Sequence, residues 1–199
     1  AVNFGNDLPL LITSLLGNDA STSAQVKLLD IEFPEEFTKK FAGPQFGIDG
    51  IREYTGVKNR PFLLNMVKPC TGLTPEEGAK IFYQTALGGV DFIKDDELLG
   101  NPSYSHPADR VKAFKKAAKA AYEESGNDVK YFVNVTSGAA EIMDNVKAVE
   151  DAGADGIMIN FAAVGYSVLK QVAEKTKLPI LGHAAGSGMV YEGTLNGMS

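Results

Sequence analysis

The most diagnostic part of this chain is Gly88-Gly89-Val90-Asp91-Phe92-Ile93-Lys94-Asp95-Asp96-Glu97, in which a short apolar run leads directly into four charged residues. The β-branched and aromatic residues that follow the glycine pair predict a buried strand. Because side chains alternate along a strand, Lys94 and Asp96 share one face, and Glu97 follows where the strand gives way to a loop. Two carboxylates beside an amine indicate either a Mg²⁺ site or an ion-paired structural cluster. A protonated lysine would repel a metal ion, so Lys94 is either a counter-ion to the acids or is converted into an anionic ligand.

The same order of apolar strand, polar loop and amphipathic helix repeats from residue 61 onward, which is typical of parallel β/α architecture. The predicted strands are residues 62–67, 90–94, 131–135, 156–159 and 179–183, and the predicted helices are residues 74–87, 107–125, 139–152 and 167–175. A (β/α)₈ TIM barrel needs eight strands. The sequence therefore predicts an α/β fold that is either about the first five strands of such a barrel or a five-stranded open sheet.

The first 57 residues do not follow this alternation of strands and helices. Residues 8–16 form an apolar, helix-like segment and residues 26–33 alternate like a strand, as expected of an α+β piece that precedes a barrel. We therefore expect two parts, residues 1–57 from the C-terminal part of an α+β N-terminal domain and residues 58–199 from the first half of the barrel, joined near Lys58-Asn59-Arg60-Pro61.

Composition excludes several classes of partner. The chain has 199 residues, 44% of them hydrophobic, and a formal net charge of −6 with scattered basic residues, so neither a nucleic acid nor a membrane surface is expected as a partner. Its one cysteine, Cys70, excludes an internal disulfide and is compatible with a reducing cytoplasm. The sequence lacks an apolar run of 18 residues and a signal-peptide pattern, which favours a cytoplasmic location.

Polar residues fall where each predicted strand ends. In parallel β/α barrels these ends share one rim, which carries the chemistry. Beyond residues 94–97, the residues at this rim are Lys68, Asn134, Thr136, Asn160 and His183. Each has a structural alternative, since the asparagines could satisfy backbone groups and His183 could be a hydrogen-bonded core residue. Their joint occurrence favours an active site.

These motifs resemble the RuBisCO large-chain superfamily over nearly the whole chain. Residues 88–97 look like its metal-site signature, and Lys68-Pro69-Cys70-Thr71-Gly72-Leu73-Thr74 resembles its first-strand lysine motif. Ser14-Leu15-Leu16-Gly17-Asn18 is similar to the segment whose asparagine reaches across a dimer into the neighbour's site. Gly43-Pro44-Gln45-Phe46-Gly47-Ile48 resembles the junction between the two domains.

The resemblance implies a role for each site residue. Lys94 would be carbamylated by CO₂, and its carbamate would bind Mg²⁺ together with Asp96 and Glu97. Lys68 would move a proton at a carbon next to a carbonyl, with a pKa lowered by the nearby metal. His183 would bind a phosphorylated substrate, and Asn18 would do so across a homodimer whose subunits share the active site.

Two departures from the carboxylases narrow the expected function. Cys70 stands where they have a second lysine, and Ala184 stands where they have a phosphate-binding arginine. The chain therefore resembles the non-carboxylating RuBisCO-like proteins (form IV). It would be an Mg²⁺-dependent enolase-type enzyme that forms an enediolate from a phosphorylated keto-sugar or keto-acid, followed by tautomerisation, decarboxylation or C–C cleavage.

Three alternatives stay open. The first is ribulose-1,5-bisphosphate carboxylase, which Cys70 and Ala184 argue against. The second is the 2,3-diketo-5-methylthiopentyl-1-phosphate enolase of methionine salvage, in which a lysine stands near the position of Asn18. The third is a non-catalytic scaffold, which the intact Lys94, Asp96 and Glu97 argue against.

Overall fold

The structure, a computed structural model that describes Gly5, residues 7–22 and residues 25–198, is organised around a parallel β-sheet. Its strands are β1 (Lys27–Leu28), β2 (Leu64–Met66), β3 (Phe92–Lys94), β4 (Lys130–Asn134), β5 (Gly156–Asn160), β6 (Ile180–His183) and β7 (Gly197–Met198). Strands β2 to β6 pair in chain order, all of them parallel, and β1 pairs with β7 in a separate two-stranded sheet. Because the order never reverses, the sheet lacks the switch point of a doubly wound fold and curls in one direction, as half of a barrel does.

The chain forms ten helices within the described residues, and the longer ones that connect β2 to β6 pack their buried faces against the sheet. The ten helices are α1 (Leu8–Leu15), α2 (Asn18–Thr22), α3 (Glu35–Thr38), α4 (Gly47–Thr55), α5 (Pro75–Leu87), α6 (Pro107–Ser125), α7 (Ile142–Asp151), α8 (Phe161–Val164), α9 (Tyr166–Lys175) and α10 (Gly188–Tyr191). None of the helices in the described ranges is long and apolar enough to cross a membrane.

The start of α5 shows how the sequence sets a helix boundary. Thr74 caps the helix reciprocally, because its hydroxyl accepts from the Glu77 N–H and the Glu77 carboxylate accepts from the Thr74 N–H. Pro75 occupies the first turn, where its missing N–H costs nothing. On the next turn, a Cβ added at Gly78 would lie 2.9 Å from the Phe114 ring, so this glycine lets α5 approach α6 closely.

The core lies between the sheet and these helices. Phe82 from α5, Phe114 from α6 and Tyr131 from β4 form an aromatic cluster with ring centroids 4.8–5.7 Å apart. Ile93 and Ile157 on the sheet are fully buried beside it. This packing fixes the strands and hence the positions of the residues that follow them.

All five strands and all four helices predicted after residue 61 are present, with ends shifted by three residues or fewer, and the half-barrel prediction is confirmed. The apolar segment at residues 8–16 is α1. The strand predicted at residues 26–33 was wrong beyond β1, because only Lys27 and Leu28 find ladder partners, and Leu29 beyond them is 72% exposed. The division into domains at residues 57 and 58 stays a prediction.

Candidate active site

The carboxyl ends of β2, β3 and β6 bring five of the six predicted site residues to one rim. Lys94 is the last residue of β3, and Asp96 and Glu97 follow it in the connecting loop. Lys68 comes two residues after β2, and His183 ends β6. Because parallel strands present the same end to the same edge, residues far apart in sequence meet here.

Lys68 and Asp96 form a direct ion pair. The Lys68 Nζ lies 2.5 Å from Asp96 Oδ2, and the side chains are 56% and 2% exposed, respectively. Burial alone would raise the pKa of Asp96, but hydrogen bonds from Lys68 and from the Leu98 N–H outweigh it and hold that pKa below its ordinary value. The hydrogen bond to Asp96 raises the pKa of Lys68, so Lys68 is an ammonium ion in this arrangement.

Lys94 occupies a different environment. Its side chain is buried, and its Nζ contacts Met66 Sδ at 3.3 Å and donates to the Asp95 carbonyl at 3.1 Å. Burial lowers the pKa of Lys94 more than the nearby Glu97 and Asp96 raise it. The amine therefore becomes neutral, and nucleophilic, at a lower pH than that of an exposed lysine.

Glu97 faces His183 across the rim, with its Oε2 3.7 Å from His183 Nε2. The Ala185 N–H donates to His183 Nδ1 at 3.1 Å, so Nδ1 is the acceptor nitrogen and a proton on the ring resides on Nε2. That tautomer presents an N–H toward Glu97 and the rim.

Asn134 supports the backbone of this site. Its Nδ2 donates to the carbonyls of Asp96 at 3.1 Å and Glu97 at 3.3 Å, and its Oδ1 accepts from the Thr136 N–H. The structural role considered for Asn134 is thus observed. Asn160 differs, since its buried Oδ1 finds no hydrogen-bond partner within the described residues.

A buried charged pair, Asp95 and Arg110, lies beneath the rim, and the sequence did not predict its role. Asp95 is fully buried and accepts from Arg110, the Tyr131 hydroxyl and the Asn134 N–H. The alternation of side chains along a strand could have indicated this buried pair. Because Asp95 points away from the face of Lys94 and Asp96, it enters the core, where a carboxylate requires a cation. The sequence spacing did not identify Arg110 as that cation.

Asn18 is the sixth predicted site residue. It begins α2, and its carbonyl accepts from the hydroxyls of Ser21 and Thr22. Within the described ranges, no hydrogen bond or ion pair joins Asn18 to the five rim residues. Its assignment to the site stays a prediction.

The donor set at the rim fits an Mg²⁺ ion only if Lys94 contributes to it. Across residues 7–22 and 25–198, no three side chains of the His, Cys, Asp and Glu types are grouped closely enough to hold a metal. Asp96 and Glu97 supply two carboxylates of the kind that Mg²⁺ prefers. A buried lysine with a lowered pKa stands beside them, and its carbamate would be a third hard oxygen donor.

Comparisons with known proteins identify the family of the chain. The profile of the ribulose bisphosphate carboxylase large chain, catalytic domain, matches residues 47–199. A ribulose bisphosphate carboxylase-like protein of Archaeoglobus fulgidus is 42% identical over 198 residues, which cover 98% of this chain and 45% of that protein. A 2,3-diketo-5-methylthiopentyl-1-phosphate enolase of Bacillus pumilus is 39% identical, and the match covers 99% of this chain and 49% of the enolase.

A solved structure gives the same picture at the level of the fold. A rubisco-like protein from Alicyclobacillus acidocaldarius superposes with a TM-score of 0.93 at 32% identity, covering 99% of this chain and 50% of that chain. The present chain spans about half the length of the relatives it matches. The profile match and these similarities show that the chain belongs to the RuBisCO large-chain family, where it is most similar to the RuBisCO-like proteins.

Proposed function

We propose that this rim belongs to the Mg²⁺-dependent active site of an enolase-type enzyme, which forms an enediolate from a phosphorylated keto-sugar or keto-acid. One observation carries the proposal: a buried lysine of lowered pKa, Lys94, ends the strand that leads into Asp96 and Glu97, and a second lysine, Lys68, is bonded to Asp96. An ion-paired structural cluster would need only the Lys68–Asp96 pair and not a buried lysine of lowered pKa.

Carbamylation of Lys94 resolves the charge conflict at the rim. The ammonium group first loses a proton to solvent; the neutral amine then attacks the CO₂ carbon, a C–N bond forms as one C–O π bond opens onto oxygen, and a second proton leaves from nitrogen to solvent. A cation is thereby replaced by an anion. Burial favours the reactive neutral amine by lowering its pKa. Asp96, Glu97 and the carbamate would then hold Mg²⁺, which when bound supplies positive charge next to the substrate oxygens that become negative during enolisation.

Lys68 is the proton carrier in this proposal. As an ammonium ion paired with Asp96 it cannot accept a proton. Once Asp96 is engaged by another cation, the pairing that raises the pKa of Lys68 weakens, and a neutral Lys68 amine becomes available. That amine would take the proton from the carbon next to the substrate carbonyl, as a general base does.

His183 and Asn18 would bind the phosphorylated substrate. The Nε2 side of His183 faces the rim beside Glu97, which suits contact with an anionic or hydroxylated group. Asn18 would reach the site of the neighbouring subunit in a homodimer, which is consistent with the absence, among the described residues, of a hydrogen bond between Asn18 and the rim of its own chain.

Binding of Mg²⁺ with and without bicarbonate tests the carbamate site. Calorimetric titration should show tighter Mg²⁺ binding in bicarbonate for the wild type but not for Lys94→Ala, and ¹³C-bicarbonate should give a carbamate resonance in the wild type alone. Lys80→Ala, which removes an exposed lysine of α5, is the control and should behave as the wild type. Binding that ignores both bicarbonate and Lys94 would reject the proposal in favour of a structural cluster.

A second candidate is the methionine-salvage enolase reaction itself. The 39% identity to the Bacillus pumilus enolase favours it, while Asn18 argues against it. Incubation with 2,3-diketo-5-methylthiopentyl-1-phosphate, followed by the ultraviolet absorbance of the enol, would identify this activity. Deuterium uptake from D₂O into a panel of keto-sugar and keto-acid phosphates would identify the more general enolase-type activity. Fixation of ¹⁴CO₂ into ribulose bisphosphate would instead support a carboxylase.

A further inference from the structure

Arg110 makes an unusual set of contacts for a helix residue of a β/α fold. It lies in the first turns of α6, yet its side chain is 1% exposed and extends beneath the loop that follows β3. Its Nη2 donates to the carbonyls of Gly100 at 2.8 Å, Leu99 at 3.2 Å and Asn134 at 3.3 Å, and its Nη1 donates to the Ser105 carbonyl. The loop that contains Asp96 and Glu97 therefore wraps around one buried guanidinium.

Asp95 connects this guanidinium to the strand end. Its Oδ2 accepts from Arg110 Nε at 3.1 Å and from the Asn134 N–H at 2.9 Å, and its Oδ1 accepts from the Tyr131 hydroxyl at 2.6 Å. Both carboxylate oxygens are thus held from β4 and α6. Because the side chain of Asp95 is fixed, the directions in which the neighbouring Asp96 and Glu97 leave the backbone are fixed as well.

Asn134 completes the attachment from the other side. Its side-chain amide holds the carbonyls of Asp96 and Glu97, while its own carbonyl accepts from Arg110. Each residue from Asp95 to Gly100 except Leu98 is therefore hydrogen-bonded to β4 or to Arg110. Leu98 instead donates its N–H to Asp96 Oδ1. A buried charge is costly, and this one is not needed to fill the core, since apolar side chains would do that at lower cost.

We infer that the buried Asp95–Arg110–Tyr131 network is a positioning device that sets the geometry of Asp96 and Glu97 for a divalent cation. The inference rests on the proposed function of the rim. Arg110 and Tyr131 touch neither the cation nor the substrate; they act through the backbone of the 95–105 segment. A lysine at position 110 would keep the charge but lose the planar set of donors that reaches four carbonyls and a carboxylate together.

Two variants and a matched control test the inference. Arg110→Lys should weaken Mg²⁺ binding in bicarbonate at least tenfold, and Tyr131→Phe, which removes a single hydroxyl, should weaken it severalfold, as is usual for residues that orient metal ligands. Val172→Ala creates a cavity in the fully buried part of α9, away from this loop, and serves as a variant of reduced Tm with an intact network. Hydrogen exchange of peptides covering residues 96–105 should increase in the first two variants and not in the third.

The outcomes separate the two claims. If Arg110→Lys and Tyr131→Phe lower Tm as Val172→Ala does and leave Mg²⁺ affinity unchanged, the network is structural only and the inference is overturned. If Arg110→Lys does not fold, the Mg²⁺ affinity and hydrogen exchange of Tyr131→Phe alone decide whether the network positions the metal ligands. If the wild type itself binds no Mg²⁺ in bicarbonate, the proposed function fails, and the exchange measurement still shows whether the network orders the segment.

Discussion

Lys68 is the residue on which the proposed proton transfer depends most directly. Lys68→Ala should lower the rate of deuterium exchange at the substrate carbon by about 10²–10⁴-fold, the usual contribution of a general acid or base. Magnesium affinity should be kept or increased, because Asp96 loses the cation that now lies 2.5 Å from its Oδ2. Exchange measured by mass spectrometry and Mg²⁺ titration of the same preparation test both parts. Unchanged exchange in Lys68→Ala, with Lys80→Ala as the reference, would remove Lys68 from the mechanism.

Lys94 should make carbamylation depend on pH in a defined direction. Its burial lowers the pKa, whereas Glu97, Asp96 and Asp95 raise it and Lys68 lowers it. The neutral amine, which is the form that reacts with CO₂, therefore becomes available at a pH below the ordinary lysine value of 10.5. The ¹³C carbamate signal at constant dissolved CO₂ should increase with pH and reach half its maximum below that value.

Glu97→Gln should shift this profile further. Glu97 is the strongest of the groups that raise the pKa of Lys94, so its neutralisation should move the carbamylation midpoint to lower pH. The same substitution removes a proposed Mg²⁺ ligand, and the variant should therefore carbamylate more readily yet bind Mg²⁺ more weakly. A midpoint that moves to higher pH would contradict the electrostatic account of Lys94.

At the scale of the elements, a buried carboxylate joins β2 to β3. Asp91 precedes β3, accepts from Arg60 at 2.6 Å on each oxygen, and accepts from the Leu63 N–H at 2.8 Å. The hydrogen bond with Arg60 lowers the pKa of Asp91 against the opposing effect of burial. The Asp91–Arg60 pair fixes the backbone where β2 and β3 begin. Lys94 is the last residue of β3, and Lys68 follows β2.

Asp91→Asn should lower the free energy of unfolding by about 1–2 kcal/mol at neutral pH, a discounted value because the Arg60 side chain is half exposed. Since the folded-state pKa of Asp91 is lowered, its stabilisation is present above the ordinary value of 3.8 and is lost as pH falls through the folded-state pKa. Urea titrations should show the difference from wild type constant near neutrality and shrinking in acid. Asp151→Asn, at an exposed pair with Lys147, should change stability by less than about 0.5 kcal/mol.

The elements that the sequence predicted are those with local signals. The start of α5 is predicted by four consecutive residues, through the capping pair of Thr74 and Glu77 and the first-turn Pro75. The apolar run before Lys94 predicts β3. The strand expected at residues 26–33 was wrong because alternation says nothing about whether a partner strand is available to pair with it. Arg110 was missed for a related reason, since its contact with Asp95 joins residues 15 positions apart through the interior rather than along one element.

At the scale of the whole molecule, the proposed homodimer would complete the rim of each chain. The chain matches about half the length of its relatives, and the sheet has open edges at β2 and β6. Among the residues that the structure describes, no hydrogen bond or ion pair joins Asn18 to Lys94 or His183, as expected of a residue that serves a neighbouring subunit. We propose that a dimer with shared sites brings Asn18 of one subunit to Lys94 and His183 of the other.

Mixed dimers test this sharing directly. Asn18→Ala and Lys94→Ala should each be inactive alone, but a dimer containing one of each has one complete site, formed by Lys94 of the first subunit and Asn18 of the second. Random mixing yields about half mixed dimers with one working site of two, so about a quarter of wild-type activity should return. Light scattering and differently tagged subunits verify dimerisation and exchange. If exchange is complete and no activity returns, Asn18 does not act in the partner's site, because complementation requires each defect to be supplied by the other chain.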